Sequence, residues 1–150
     1  MIGSILVLTV SLVLFLYWFR YTCLLILSTK PARDYSRQVA QANQLGFPEV
    51  RDELRGAAGL MDLSKLEASL ERDFRLLNCL VRQVAESPLG GLALEERILV
   101  VDYRIMKVWY ALTRPIAVSQ ARQALSEMSD IVAHFANVMG ERQAVPVTTR

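Results

Sequence analysis

Histidine occurs once in the 150 residues and cysteine twice, and these scarcities exclude a good deal of chemistry. His134 is the one imidazole. The residue three before it is Ile131, so the Glu-x-x-His pairs that carboxylate-bridged metal bundles place on facing helices are missing. Asp130 stands four residues earlier, in position to orient the ring, yet no serine or cysteine nucleophile can be assigned to the pair. His134 therefore reads as a helix-boundary residue, and no catalytic residue is named. Cys23 and Cys79 lie far apart in no metal-type spacing, and a cytoplasmic setting gives no reason for a bridge; Cys79 is expected to be a small core or near-core residue. The stretch PLGGL at 88–92 lacks the lysine of a phosphate cradle, and no haem-attachment motif occurs. No cofactor and no metal are expected. From Leu60 onward eleven acidic residues face eleven basic ones, which removes the electrostatic footing for nucleic acid.

Charge is also missing, altogether, from Ile2 to Phe19. Hydrophobic residues make up 53% of the chain, above the share of an ordinary soluble domain, and the excess sits at this end. Eighteen helical residues cover roughly 27 Å, close to the ~30 Å of a bilayer's hydrocarbon. The run predicts a transmembrane helix over 1–28, with its hydrocarbon span at about 2–19. A cleaved signal peptide would need a basic segment first and small residues before a cut site. No Lys or Arg precedes the run, and no A-x-A pattern comes after it.

Arg20 interrupts the apolar sequence among Tyr17, Trp18, Phe19 and Tyr21. Such an aromatic belt belongs at headgroup depth, where a guanidinium reaches water along its apolar stem. The hydrocarbon is thus expected to end around Trp18 to Tyr21, with Tyr17, Trp18, Arg20 and Tyr21 as interface residues; a tilted helix drawing Cys23 to Leu27 inward is the alternative. Arg20, Lys30, Arg33 and Arg37 come after the helix and no basic side chain precedes it. Positive charge stays inside, so the N-terminus is expected outside and the remainder in the cytoplasm. Gly3, Ser4 and Ser11 supply small residues for close helix packing in lipid.

Residues 29–61 read as a connector. Pro31 is expected to end the first helix, DYSRQVAQANQL to form a short helix stopped by Gly46, and PEVRDELRGAAG a second with Pro48 in its first turn and Gly56 and Gly59 loosening its end. Leu45, Phe47, Val50 and Leu54 give this strap an apolar side to dock on the longer helices beyond it, in preference to lying on a lipid surface. Three long amphipathic helices come next, at about 62–86, 92–113 and 118–139. The first carries Leu63, Leu66, Leu70, Phe74, Leu77, Val81 and Val84 at steps of three and four, and ESPLGGL ends it. The third carries Ala121, Leu125, Met128, Val132, Phe135 and Met139, with Gly140 to close it; 143–150 reads as a tail. Short connections make neighbours antiparallel. The expected fold is all-α: a single N-terminal transmembrane helix followed by a cytoplasmic antiparallel three-helix bundle over 62–142.

The middle helix is apolar twice over. Leu94, Ile98, Val101, Ile105, Val108 and Leu112 alternate steps of four and three and read as its core stripe. Leu99, Tyr103, Met106 and Tyr110, with Trp109 beside them, form a second series. A helix touching two neighbours needs a wide apolar face, but tyrosine, tryptophan and methionine also favour interface cores. Leu99, Tyr103, Met106, Trp109 and Tyr110 are therefore the expected partner-binding residues, with Arg97, Arg104, Lys107 and Arg114 on the same helix as a solvated basic face. The functional expectation is a non-enzymatic, single-pass membrane-anchored interaction or scaffold protein. Membrane lipid and other membrane protein subunits are its partners, as for an accessory subunit of a larger complex. A membrane-tethered structural protein that assembles as a homo-oligomer is the alternative.

Overall fold

The computed structural model describes residues 1–29, 33–56, 62–85 and 93–144. The expectations placed on Lys30, Pro31, Gly59, the side chain of Val84, the helix break at 86–92 and the tail from 145 lie outside the described residues. Six helices and no strand occur among those described: α1 (Ile2–Ser28), α2 (Ser36–Asn43), α3 (Phe47–Arg55), α4 (Leu63–Ala85), α5 (Leu94–Thr113) and α6 (Val118–Ala144). The chain divides into two compact units, Met1–Lys30 and Pro31–Arg150. The all-α expectation holds.

In the first unit α1 runs through Arg20 without a break, and its backbone turns extended only at Thr29. At 27 residues it is about 40 Å long, and its best window has a mean hydropathy of 2.3, long and apolar enough to cross a membrane. Large apolar side chains from Ile2 to Trp18 are exposed. The hydroxyls of Thr9 and Thr22 donate to the carbonyls of Ile5 and Trp18, at 2.8 and 2.9 Å. These polar groups thus bring no unmet donor into an apolar surrounding. Trp18 and Tyr21 meet edge to face with centroids 6.3 Å apart.

In the second unit α6 is the element on which α2, α3, α4 and α5 all pack. Its sequence explains this. The expected stripe from Ala121 to Met139 is buried, and so are Ala124, Ile131, Ala133 and Ala136 on its other sides. Alanines let backbones approach closely, so α6 accepts neighbours around most of its circumference, while Gln123, Ser126 and Glu141 stay exposed. One ring from each long helix meets at the centre: Phe74 of α4 stacks on Tyr103 of α5 at 3.7 Å and meets Phe135 of α6 edge to face at 5.9 Å.

The two short helices belong to this same unit, and distant side chains fix their ends. Helices of eight or nine residues are marginal on their own. The buried carboxylate of Asp73 on α4 accepts the amides of Gly46 and Phe47, at 2.7 and 2.8 Å, at the start of α3. Arg122 of α6 donates to the carbonyls of Leu54 and Gly56 at its end. A negative group at the positive end and a cation at the negative end both suit the helix dipole. Asn137 accepts the Tyr35 amide at 2.8 Å, ahead of α2, and Leu45, Phe47 and Val50 are buried.

Two glycine expectations need correction. Gly46 does not stop α2; Gln44 does, in the left-handed conformation with φ of 53°. Gly140 does not close α6, which continues to Ala144. It lies where α2 crosses, and a Cβ there would collide with Tyr35 and press Val39. Burial pushes the Asp73 carboxyl up, and the Gly46 and Phe47 amides draw it back only in part, so a neutral oxygen can replace it. Asp73→Ala is expected to lower the urea unfolding free energy of the full chain in mild detergent by about 2 kcal/mol, the cost of orphaned buried donors. Asp73→Asn keeps an acceptor and should cost less than half as much. Equal losses would contradict the cap.

Candidate functional site

Helix α5 has two apolar faces, and the structure assigns them opposite to the sequence expectation. Leu99, Tyr103, Met106 and Tyr110 turn inward and are 6% exposed or less. Of the five expected partner-binding residues Trp109 alone stands out, at 47% exposed. The expected core stripe is the outward one: Leu94 is 72% exposed, Val108 61%, Leu112 60% and Val101 47%. Ile105 is exposed as well and Ile98 half-buried.

The physical reason is the anchoring each face can make. At 100° per residue the two series lie on opposite sides of the helix. The tyrosine face buries two large rings and finds a polar partner for the Tyr103 hydroxyl. Tyr103 stacks on Phe74 and its hydroxyl donates to Glu71 at 3.4 Å. Lys107, one turn on, reaches Glu71 at 3.1 Å and Glu67 at 3.8 Å on α4. Burial, seconded by the Glu71 charge, pushes the Tyr103 phenol far up, so it stays a neutral donor. Burial raises the Glu71 carboxyl, but Lys107 and Arg75 outweigh it and hold the group below its usual range. The buried Glu96 ties the start of α5 to α6 through an ion pair with Arg142 and accepts the Ala93 amide at 3.1 Å.

What remains outside is a surface stripe. It runs from Leu94 to Leu112, about 27 Å along the helix, and continues beyond it through the exposed Ile116 and Val118. Arg97 and Arg104 border one edge and Arg114 its far end, all exposed. The basic residues thus divide: Arg97, Arg104 and Arg114 are solvated, while Lys107 is engaged with α4. The heptad spacing of the stripe was visible in the sequence; its direction was not. Of the expected interface residues on α1, Tyr17, Trp18 and Tyr21 are exposed and Arg20 is half-buried.

The remaining chemistry-bearing residues are drawn into packing. Cys79 is exposed rather than in the core, since it falls off the buried line from Leu66 through Phe74 to Val81. A charged groove beside it holds Glu67, Glu71, Arg75 and Lys107, which pair among themselves. Asp130 is bound to Arg51 of α3, which takes up the carboxylate that would have oriented His134. No cluster of three or more His, Cys, Asp or Glu positioned to hold a metal occurs among the described residues.

His134 is half-buried, and desolvation lowers its pKa against the opposing pull of Glu95, Glu96 and Glu141. A base whose folded pKa lies below the unfolded value near 6.5 is neutral when folded and gains a proton on unfolding. Its contribution is intact above pH 6.5 and lost as pH falls below it. Full-chain stability is expected to decline as pH falls below 6.5, and His134→Gln to flatten that decline while leaving the further loss below pH 4.5 that comes with protonating Glu71. An unchanged slope in His134→Gln would contradict the assignment.

No family model, curated protein or solved structure matches the chain.

Proposed function

We propose that this chain is a non-enzymatic, single-pass membrane-anchored interaction protein, acting as an accessory subunit of a larger membrane assembly. In this proposal α1 crosses the bilayer with residues 2–19 in hydrocarbon and Tyr17, Trp18, Arg20 and Tyr21 at the headgroups. Its N-terminus is outside, and the unit from Pro31 onward is cytoplasmic. There α4, α5 and α6 form an antiparallel bundle, with α2 and α3 strapped along α6.

The observation that carries the proposal is the outward stripe of α5. Most large apolar side chains of α4 and α6 are buried within the unit. The stripe leaves Leu94, Val101, Val108, Trp109 and Leu112 in water. Contiguous exposed apolar surface with a charged rim marks a contact surface, and tryptophan at its edge suits a partner pocket. Tethering through α1 would confine the stripe to two dimensions and raise its effective concentration toward anything in the same membrane.

Two measurements test this. Alkaline carbonate washing should leave the full chain in the membrane pellet and release a chain lacking 2–19, and protease outside intact cells should spare the second unit. A full chain in the supernatant, or a mature protein shortened at its front, would overturn the anchor. Ile105→Lys on the stripe should strip co-purifying membrane subunits in mild detergent without lowering the midpoint of thermal unfolding; an unchanged set of subunits would overturn the contact surface.

A further inference from the structure

Helices α2 and α3 are joined to the second unit differently from the way α4, α5 and α6 are joined to one another. The three long helices share the Phe74, Tyr103 and Phe135 rings and the ion pairs of Lys107 and Arg142. No residue of α2 or α3 enters either set. The short helices and the turn between them bury Val39, Ala40, Leu45, Phe47 and Val50 and are otherwise fastened by polar contacts along their edges. Asn137 accepts the Tyr35 amide ahead of α2, and Asp73 accepts the Gly46 and Phe47 amides at the junction. Arg51 pairs with Asp130, and Arg122 reaches the Leu54 and Gly56 carbonyls at the far end. The pair precedes the long helices in the chain rather than linking two of them, so lifting it breaks no connection among α4, α5 and α6.

We propose that α2 and α3 form one clasp, which opens and closes as a unit while the three long helices stay packed. Neither short helix holds without a surface behind it. Among the described residues α2 packs on α6 and α3 alone, so it loses half its support when α3 lifts. At the junction Gln44 keeps a φ of 53°, a left-handed conformation that is costly for a residue with a Cβ and that relaxes when the clasp opens. Elements held by few apolar side chains open at lower free energy than a packed core, and they do so cooperatively. Opening uncovers the apolar side of the clasp and the face of α6 that carries Gly140, a surface the closed unit hides.

Gly140 is where the clasp is seated. A Cβ there would collide with Tyr35 and press Val39 of α2, so alanine at this position pushes the clasp away. Alanine is also the better helix former and favours α6 itself. Clasp opening and the stability of α6 therefore move in opposite directions, which a general weakening of the unit would not imitate.

The test is thiol labelling of the full chain with Cys23→Ser and Cys79→Ser, folded in mild detergent. Ala40→Cys in α2, Val50→Cys in α3 and Val81→Cys in α4, all at buried positions, are introduced singly. The two clasp positions should react with a maleimide within about threefold of each other, and roughly tenfold or more faster than Val81→Cys. Gly140→Ala should speed both clasp positions by about tenfold, although the side chains it meets are those of Tyr35 and Val39. Arg122→Gln, a milder change that touches the end of α3, should speed Ala40→Cys on α2 by about threefold. Val100→Ala in α5 should speed Val81→Cys and leave the clasp positions as they were. Reaction of all three positions at one rate would mean that the short helices leave only when the whole unit unfolds, and would overturn the proposal. Clasp rates that rise with Val100→Ala would overturn it too, as would a Gly140→Ala or Arg122→Gln effect confined to the helix each one touches.

Discussion

The second unit depends on one constraint: α6 is buried around most of its circumference, while a narrow line through Gln123, Ser126 and Glu141 meets water. Its large residues Leu125, Met128, Ile131, Val132, Phe135 and Met139 share one broad face, and Ala133 and Ala136 beside it are buried too. A helix with so wide a buried arc needs neighbours on several sides. Four helices supply them, and each is held to α6 by a polar contact or an aromatic edge: Asn137 at α2, Arg122 and Asp130 at α3, Phe135 at α4 and Arg142 at α5. Once α6 is enclosed, the outer surfaces of its neighbours face solvent. On α4 that surface carries Arg72, Arg75 and Arg82. On α5 it is apolar. The asymmetry between these two helices is what points to function.

Much of this architecture was legible in the residues. The six helices follow from spacing, proline and glycine positions, and the buried lines of α4 and α6 fall on the repeats of three and four that periodicity picks out. On α5 periodicity offered two lines, and nothing local could rank them. The choice turned on Tyr103 meeting Phe74 and Glu71, partners in another helix, and aliphatic regularity misled because a perfect heptad also describes a surface seam. The caps were hidden for the same reason. Asp73 lies 27 residues from Gly46, and Asn137 lies 102 from Tyr35. Gly140 looked like a helix stop because sequence shows a missing side chain but not the helix that crosses there.

A division of labour emerges between the two units. α1 spends its apolar surface outward and satisfies the Thr9 and Thr22 hydroxyls on its own backbone, which suits lipid. The second unit spends most of its apolar surface inward and keeps one stripe in reserve. His134, Asp130 and Cys79 are accounted for by packing, pairing and surface position. In the proposed reading, α1 supplies location and α5 supplies recognition.

The orientation of α5 underlies all of this, and a pair of lysine substitutions tests it most directly. Thermal unfolding of the dilute, detergent-dispersed chain, followed by circular dichroism, should show Val101→Lys folded with helicity like the parent, because Val101 faces solvent. Leu99→Lys should lose the cooperative transition, because a buried charge without a partner costs several kcal/mol. A folded Leu99→Lys beside an unfolded Val101→Lys would reverse the two faces and contradict the account.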